Sequence, residues 1–482
     1  MSTARLAHSS LPLRERVFSL ALHLLQRWIP LLFAGVIGIV VADLIAGQTW
    51  SFLVPLVLGV PIIILFLRYP FLAVLVWFLV FPLIVYTEGD RPVYWMIHRA
   101  MIPVVLGLVV LTRGRSRQRQ PLRFGLPELF MLFFLLYVVA NILVLGKTRI
   151  PSLVHVYDRL FVPFCMYALV RLLAPSPADI LRLMPVAFVS LLVQCGVSFL
   201  SWFRPDVLPE YWLHPGRTTG SLGSPAIYTS VLMFSTLLLL QYAVDSQKRW
   251  LRSIVFPAVL LGFFGVFFSF SRGSWVGGLL VLIGLLGLYP RAILRAAVVV
   301  TLVMVLAGGF FLQQEFSWAS QRLENQKTAE DRIIIFVAGA SMAAARPLFG
   351  WGYDNYNSNV ARFTQNVGDI YYDKTHSSHN STLTILAELG LVGFALSVLP
   401  VALWLRRSWK IRRLMPQAGL QGWPFLALLW LCMLNLFAVS SFSDIVSTSN
   451  PAGLALFWMT LGFIASLVDP YFERGQPRSL SA

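Results

Sequence analysis

About fourteen apolar runs, each near the length needed to cross a bilayer, follow one another along this chain of 482 residues. They cover approximately 29–47, 51–67, 70–86, 97–112, 126–146, 155–173, 180–203, 225–244, 252–270, 274–289, 293–312, 381–405, 424–443 and 451–468. In lipid every backbone N–H and C=O must be satisfied inside its own segment, which makes such runs helices. The second, third and tenth runs are short and also read as half-spans or one broken helix. The expected fold is therefore all-α: a polytopic transmembrane helical bundle of about 12–14 spans.

Composition agrees. Hydrophobic residues make up 57% of the chain, charged residues only 12%, and the mean hydropathy is +0.74. The charged share is about half that of a soluble domain. The net charge of +17 would suggest nucleic acid in a soluble protein. Here the cations sit in short loops between apolar runs, so the reading is topological and no nucleic-acid partner is expected. With the N-terminus inside, 24 of the 38 Lys and Arg fall on the inner side, against 8 in the short outer loops. Cys165, Cys195 and Cys432 lie singly in apolar runs, as small hydrophobic fillers.

This orientation divides the chain. Residues 1–28 form a cytoplasmic segment in which Val17–Leu25, flanked by Arg14, Arg16 and Arg27, is expected to lie in the interface. No small-residue cleavage pattern marks it as a removable signal. Residues 29–312 form the transmembrane bundle. Residues 313–378 are a long outer loop with short helices, Ala338–Ala345 among them. Residues 379–482 supply the C-terminal transmembrane helices and a short cytoplasmic tail. A loop this long in a compact protein is usually functional.

Candidate chemistry collects on the outer side. His379-Asn380-Ser381 stands where the long loop re-enters the membrane, ahead of Glu388-Leu389-Gly390. Asn380 or Ser381 is placed to cap the helix. His379 then sits at the positive helix end, which favours a neutral imidazole able to take a proton. On spacing alone the more frequent role of such a residue is an interfacial one, bonded to a backbone carbonyl. Arg159, Arg217, Arg272 and Arg332 all fall on the outer side as well. Guanidinium forks match phosphate oxygens, so several around one cleft would bind a diphosphate. Taken separately, Arg159 can pair with Asp158, and Arg332 with Asp331 or Glu330. Pro347-Leu-Phe-Gly-Trp-Gly-Tyr353 offers a tight turn whose aromatics either stack on sugar rings or anchor at the interface. Metal chemistry is not expected: Asp369, Asp373 and His376 are the nearest approach to a ligand set.

In order and side, these pieces resemble the O-antigen ligase and O-antigen polymerase superfamily of bacterial envelope enzymes. The similarity is clearest over about residues 213–400. It is carried by the segment ending Gly223-Ser224-Pro225, the Ser271-Arg272-Gly273 turn, Arg332 with Pro-Leu-x-Gly-Trp-Gly, and His379-Asn380 leading to Glu388-x-Gly390. The family's usual asparagine after the proline is replaced by Ala226. The resemblance implies a multi-pass inner-membrane enzyme with a periplasmic active face and cytoplasmic termini. Its donor would be an undecaprenyl diphosphate-linked glycan. Its acceptor would be lipid A–core in a ligase, or another carrier-linked glycan in a polymerase; the ligase is the first reading. By position, Arg217 and Arg332 correspond to the family's essential outer-loop arginines and His379 to its essential histidine, making these three the catalytic candidates. Arg159 and Arg272, with Arg217, are the diphosphate-binding candidates. A histidine that deprotonates the acceptor hydroxyl and arginines that take up phosphate charge need no cofactor and no metal. A lipid-linked glycan transporter is the competing class. It should carry ionisable residues near mid-bilayer, and few are found there.

Overall fold

In the computed structural model, the described residues are 64–85, 92–113, 124–146, 148–214, 216–291, 294, 327–364, 378–443 and 451–474. The chain divides into two units, Met1–Tyr69 and Pro70–Ala482. Of the first, residues 64–68 are helical. The expected spans at 29–47 and 293–312, most of that at 51–67, and the segment Val17–Leu25 lie outside the described residues.

The second unit is all helical among its described residues. Its helices are α1 (Phe71–Ile84), α2 (Met101–Arg113), α3 (Leu126–Leu145), α4 (Arg149–Leu173), α5 (Pro177–Phe203), α6 (Pro225–Asp245), α7 (Arg249–Phe267), α8 (Arg272–Leu288), α9 (Lys327–Ala345), α10 (Tyr356–Thr364), α11 (Ser381–Ile411), α12 (Trp423–Ser440) and α13 (Ala452–Arg474). A π-helical turn, Trp95–Ala100, leads into α2, and another, Tyr157–Phe161, lies within α4. Among the described residues nine helices are long and apolar enough to cross a membrane; α1 and α8 are shorter apolar helices.

Helix α6 is the axis of the bundle. It is apolar on every side and buried on almost every residue, as a helix with no polar stripe must be. Around it pack α5, α7 and α12. Small residues let the backbones approach: a Cβ on Gly262 of α7 would stand 2.0 Å from the Thr236 hydroxyl of α6. On α8, a Cβ at Gly277 would stand 2.5 Å from Asn435 of α12. Helices α3, α4, α11 and α13 form the neighbouring group, with α13 along α4 and α3 along α11.

One end of this group is tied by charge. Arg171 bonds Glu128 at 2.5 Å and Asp469 at 2.7 Å, joining α4 to α3 and α13. Tyr167 donates to Glu128 and accepts from the Trp404 indole at 2.9 Å, which adds α11. Ionisable groups at the ends of apolar helices persist when paired in this way. The loops that carry the candidate chemistry are at the opposite end, called here the site end.

Candidate functional site at one end of the bundle

The loop between α5 and α6 is built on buried polar groups. Ser221 accepts from the Gln194 side-chain amide at 2.8 Å, donates its N–H back to Gln194 at 3.0 Å, and donates its hydroxyl to the Pro82 carbonyl at 2.8 Å. Thr219 donates to Trp212 at 2.8 Å, and Thr218 to the Phe268 carbonyl at 2.9 Å. Arg217 lies between these ties. It pairs with His214 in an isolated bridge closed by its N–H to the His214 carbonyl at 3.2 Å, with the turn made at Gly216 (φ 64°). The Thr218 bond fastens this loop to the α7–α8 turn, where Arg272 is the first residue of α8.

That turn meets a second one. A Cβ on Gly273 would lie 2.6 Å from the Cβ of Phe442, so the α8 start sits directly against the end of α12. Ser441 accepts from the Asn380 side-chain amide at 3.2 Å, and Ser443 from the Ser381 hydroxyl at 3.4 Å. Asn380 also caps α11, its side chain accepting the Leu383 N–H at 3.0 Å. His379 occupies the corner before this cap at φ 50°, in the left-handed region that non-glycine residues rarely adopt. The segments bearing Arg217, Arg272 and His379 are therefore joined contact by contact along one edge.

Arg159 lies in the π-helical turn of α4. It does not pair with Asp158, its sequence neighbour. Asp158 instead takes a bidentate pair from Arg99 at 2.7 and 2.6 Å, while its carbonyl bonds His98 at 3.1 Å. Arg99 lies over the rings of Tyr94 and Trp95, and His98 stacks on Phe81. Arg159 turns toward Asp354, 3.8 Å away, which also holds the His155 imidazole at 2.7 Å and the Ser152 hydroxyl at 3.4 Å. Burial alone would push the Asp354 carboxyl up. The His155 hydrogen bond, the His155 and Arg159 charges and the Ser152 bond outweigh it, and the net shift is downward. Arg332 lies on α9, among side chains outside the described set.

The Pro347–Tyr353 motif forms a clamp. Its chain runs against a break in α11 at Gly390 (φ 66°), with Trp351 N–H on Ala387, Gly352 N–H on Glu388 and Leu391 N–H on Pro347 at 2.7–2.9 Å. The two backbones are so close that a Cβ on Gly350 or on Gly390 would stand 2.3 Å from the other segment. Trp351 donates its indole N–H to Met342 and carries Arg346 over its ring, so its side chain is spent on α9 and the clamp. Glu388 is buried and accepts the Tyr356 N–H at 2.9 Å. Asn141 of α3 accepts the Tyr353 N–H at 2.8 Å.

Between α3, α4, α11, α12 and α13 opens an apolar cleft. Its wall includes Phe134, Leu160, Ile385, Phe394, Val398, Leu436, Phe457 and Trp458; Ser381 and Thr382 stand at its polar edge, beside the His379 corner. Leu160 follows Arg159 directly. The cleft thus runs from Ser381 and Thr382 at the start of α11 along the apolar faces of the bundle. Among the described residues, no group of three or more His, Cys, Asp and Glu is placed to share a metal ion; Asp369, Asp373 and His376 lie outside them.

Sequence reasoning left unread the Arg99–Asp158 pair, His98, and the His155–Asp354 contact. A signal existed for each: an ionisable residue near the end of an apolar run implies a partner. The partners are 59 and 199 positions away, beyond any local pattern.

Fold and site together define a polytopic helical membrane protein in which segments bearing Arg217, Arg272 and His379 abut and an apolar cleft lies between the helices. Residues 257–398 match the family model described as O-antigen ligase, so this stretch of the chain is similar to that family. The match takes in Arg272, Arg332, the Pro347–Tyr353 clamp and His379, while Arg159 and Arg217 precede it. None of the curated proteins matches the sequence.

Proposed function

We propose that the protein moves a polysaccharide from an undecaprenyl diphosphate carrier to a hydroxyl on lipid A–core, on the periplasmic face of the inner membrane. The observation that supports this most directly is the cleft. An apolar cleft between helices suits a polyprenyl tail, and its polar edge is formed by Ser381 and Thr382 at the start of α11, close in sequence to His379. The positive-inside bias supports this orientation: the basic stretch 406–413 lies at the end of α11 away from His379.

In this reading His379 takes the proton of the acceptor hydroxyl as its oxygen attacks the anomeric carbon. The bond from that carbon to the diphosphate oxygen breaks with inversion, and the diphosphate leaves carrying the electron pair. Arg217 and Arg332, with Arg272 and Arg159, take up the charge that grows on the phosphates. Three of the four stand on segments fixed by buried hydrogen bonds, a helix start or an ion pair, which suits preorganised donors.

The test supplies purified protein in nanodiscs with undecaprenyl diphosphate glycan and lipid A–core, and sizes the products on a gel. One transfer to lipid A–core is expected; a ladder on the carrier would reassign the acceptor to another carrier-linked glycan. His379→Ala and Arg217→Ala are each expected to lower turnover at least about 100-fold with normal expression. Full activity in both variants refutes the site.

A further inference from the structure

Most of helix α9 is apolar on every side. From Ile333 to Ala345 the sequence carries no charge, and Ser341 is its only polar side chain. One face is packed: Ala338 and Met342 are buried with Tyr356 and Val360 of α10 and Ala387 of α11. The other face is bare and continues into the clamp. Ile333, Phe336, Leu348 and Phe349 are each more than half exposed. A helix without a polar face must be covered all round. This apolar stretch is about 20 Å long, too short to cross a hydrocarbon core of about 30 Å. Its neighbours show where it runs. A Cβ on Gly339 would stand 2.6 Å from the Leu383 side chain, in the first turn of α11, while Leu348 and Phe349 meet Gly390, about two turns further along that helix. The chain then returns: Asn355 donates its side-chain amide to the carbonyl of Leu145, the last residue of α3, at 3.2 Å.

We propose that α9 and the Pro347–Tyr353 clamp form a re-entrant element, dipping into the membrane leaflet at the site end, and that Ile333, Phe336, Leu348 and Phe349 rest on lipid acyl chains. Contacts with α3 give the depth. The Phe349 carbonyl accepts from the Asn141 amide at 3.2 Å and the Tyr137 hydroxyl at 3.4 Å. Those residues lie about 6 and 12 Å inside the end of α3 at Leu145. On that span Leu136, Leu143 and Val144 are exposed, so Phe349 meets α3 at levels where the helix itself presents apolar side chains outward. Leu391, beside Gly390, is exposed as well. Irregular backbone persists at such depth only where its polar groups find partners in the protein. The clamp carbonyls at Pro347, Leu348, Phe349 and Trp351 are all taken, by Leu391, Val392, Asn141 with Tyr137, and Asn355. The N–H groups of Gly350, Trp351, Gly352 and Tyr353 are taken too. Arg346 is the one charge from residue 333 to 349, and it lies over the Trp351 ring, 4.1 Å from its centroid. Its long chain can carry the guanidinium to the head-group level. In water a bare face of this kind would call for a partner protein; in lipid it needs none.

The experiment measures spin-label accessibility on the full chain in nanodiscs. Labels are attached one at a time through Phe336→Cys and Phe349→Cys. Leu136→Cys on α3 is the lipid reference and Glu210→Cys in the α5–α6 loop the water reference. The native cysteines are buried, and protein with no added cysteine is the blank. All four labelled positions are exposed on the protein, so the substitutions spare its packing. Relaxation by oxygen relative to a water-soluble nickel chelate is expected to match the Leu136 reference at both positions, several-fold above the Glu210 reference. A ratio equal to that of Glu210 at either position overturns the proposal and puts that part of the element in water. Weak relaxation by both agents overturns it as well, since protein, such as a second copy of this chain, would then cover the face. The readout needs no substrate, so it stands or falls apart from the donor reading above.

Discussion

Arg99 and Asp158 show how a charge survives inside an apolar helix group. Each side chain is only 9% exposed, and their contact is bidentate. Breaking such a pair leaves a buried charge with nothing opposite it. Asp158→Ala is therefore expected to cost about 3–5 kcal/mol, read as a lower thermal midpoint in detergent. Replacing both residues with apolar ones of similar size should recover much of that loss. A midpoint for Asp158→Ala equal to that of the wild type would show that water already reaches the pair. Asp354 behaves differently with pH. Its carboxyl is held below the ordinary carboxylate value, so the stability it contributes is complete above that value and is lost as pH falls through its lower folded value. The clamp should consequently stay docked on α4 well into acid.

At the scale of elements, most spans were legible from hydropathy alone. The expected runs at 126–146, 225–244 and 424–443 correspond to α3, α6 and α12 within a few residues. Helix α4 was the larger miss: its run was read from residue 155, yet the helix begins at Arg149. Pro151 is harmless in a first turn, and His155, Asp158 and Arg159 look like loop residues until their partners on other segments are seen. Pairing Arg159 with Asp158 failed for a related reason. Adjacent residues on a helix point about 100° apart, so each reached a different neighbour. The break in α11 was invisible because hydropathy carries no information about φ. It also yields a prediction. Gly350→Ala and Gly390→Ala each add a Cβ at 2.3 Å from facing backbone and strain a positive φ, so either should undock the clamp, at a cost of at least about 1–3 kcal/mol from φ strain alone. Limited proteolysis near residues 346–356 would report it. Gly107, with nothing within 4 Å of its would-be Cβ, is the control and should tolerate alanine.

At the scale of the whole molecule, Arg171, Glu128 and Asp469 tie α4, α3 and α13 at one end, and the clamp meets α11, α3 and α4 at the other. The candidate arginines and histidine were legible as residue types in segments between or beside apolar runs. Their joining through Phe268, Phe442 and Ser441 was not, because it depends on how loops from distant spans abut. On the proposed function, this layout separates two duties of a donor site. The head group needs fixed polar partners, while a prenyl tail needs only apolar surface of sufficient length.

The separation predicts that tail and head can be impaired independently. Val398 lines the cleft two turns below the Gly390 break, away from Asn380 and the capped start of α11. Val398→Trp would fill part of the cleft with a ring and leave the site end unaltered. With a long-chain undecaprenyl diphosphate glycan, the donor KM is expected to rise about tenfold or more, the change that several excluded methylenes would produce. With a short-chain prenyl diphosphate carrying the same glycan, KM should change little, since that tail does not reach Val398. Kinetics on the two donors with one enzyme preparation make the comparison internal, so a loss of folded protein lowers both rates together and leaves their ratio unmoved. An equal rise in KM for both donors would mean that the tail lies elsewhere on the bundle, and the cleft would then have no part in binding the carrier.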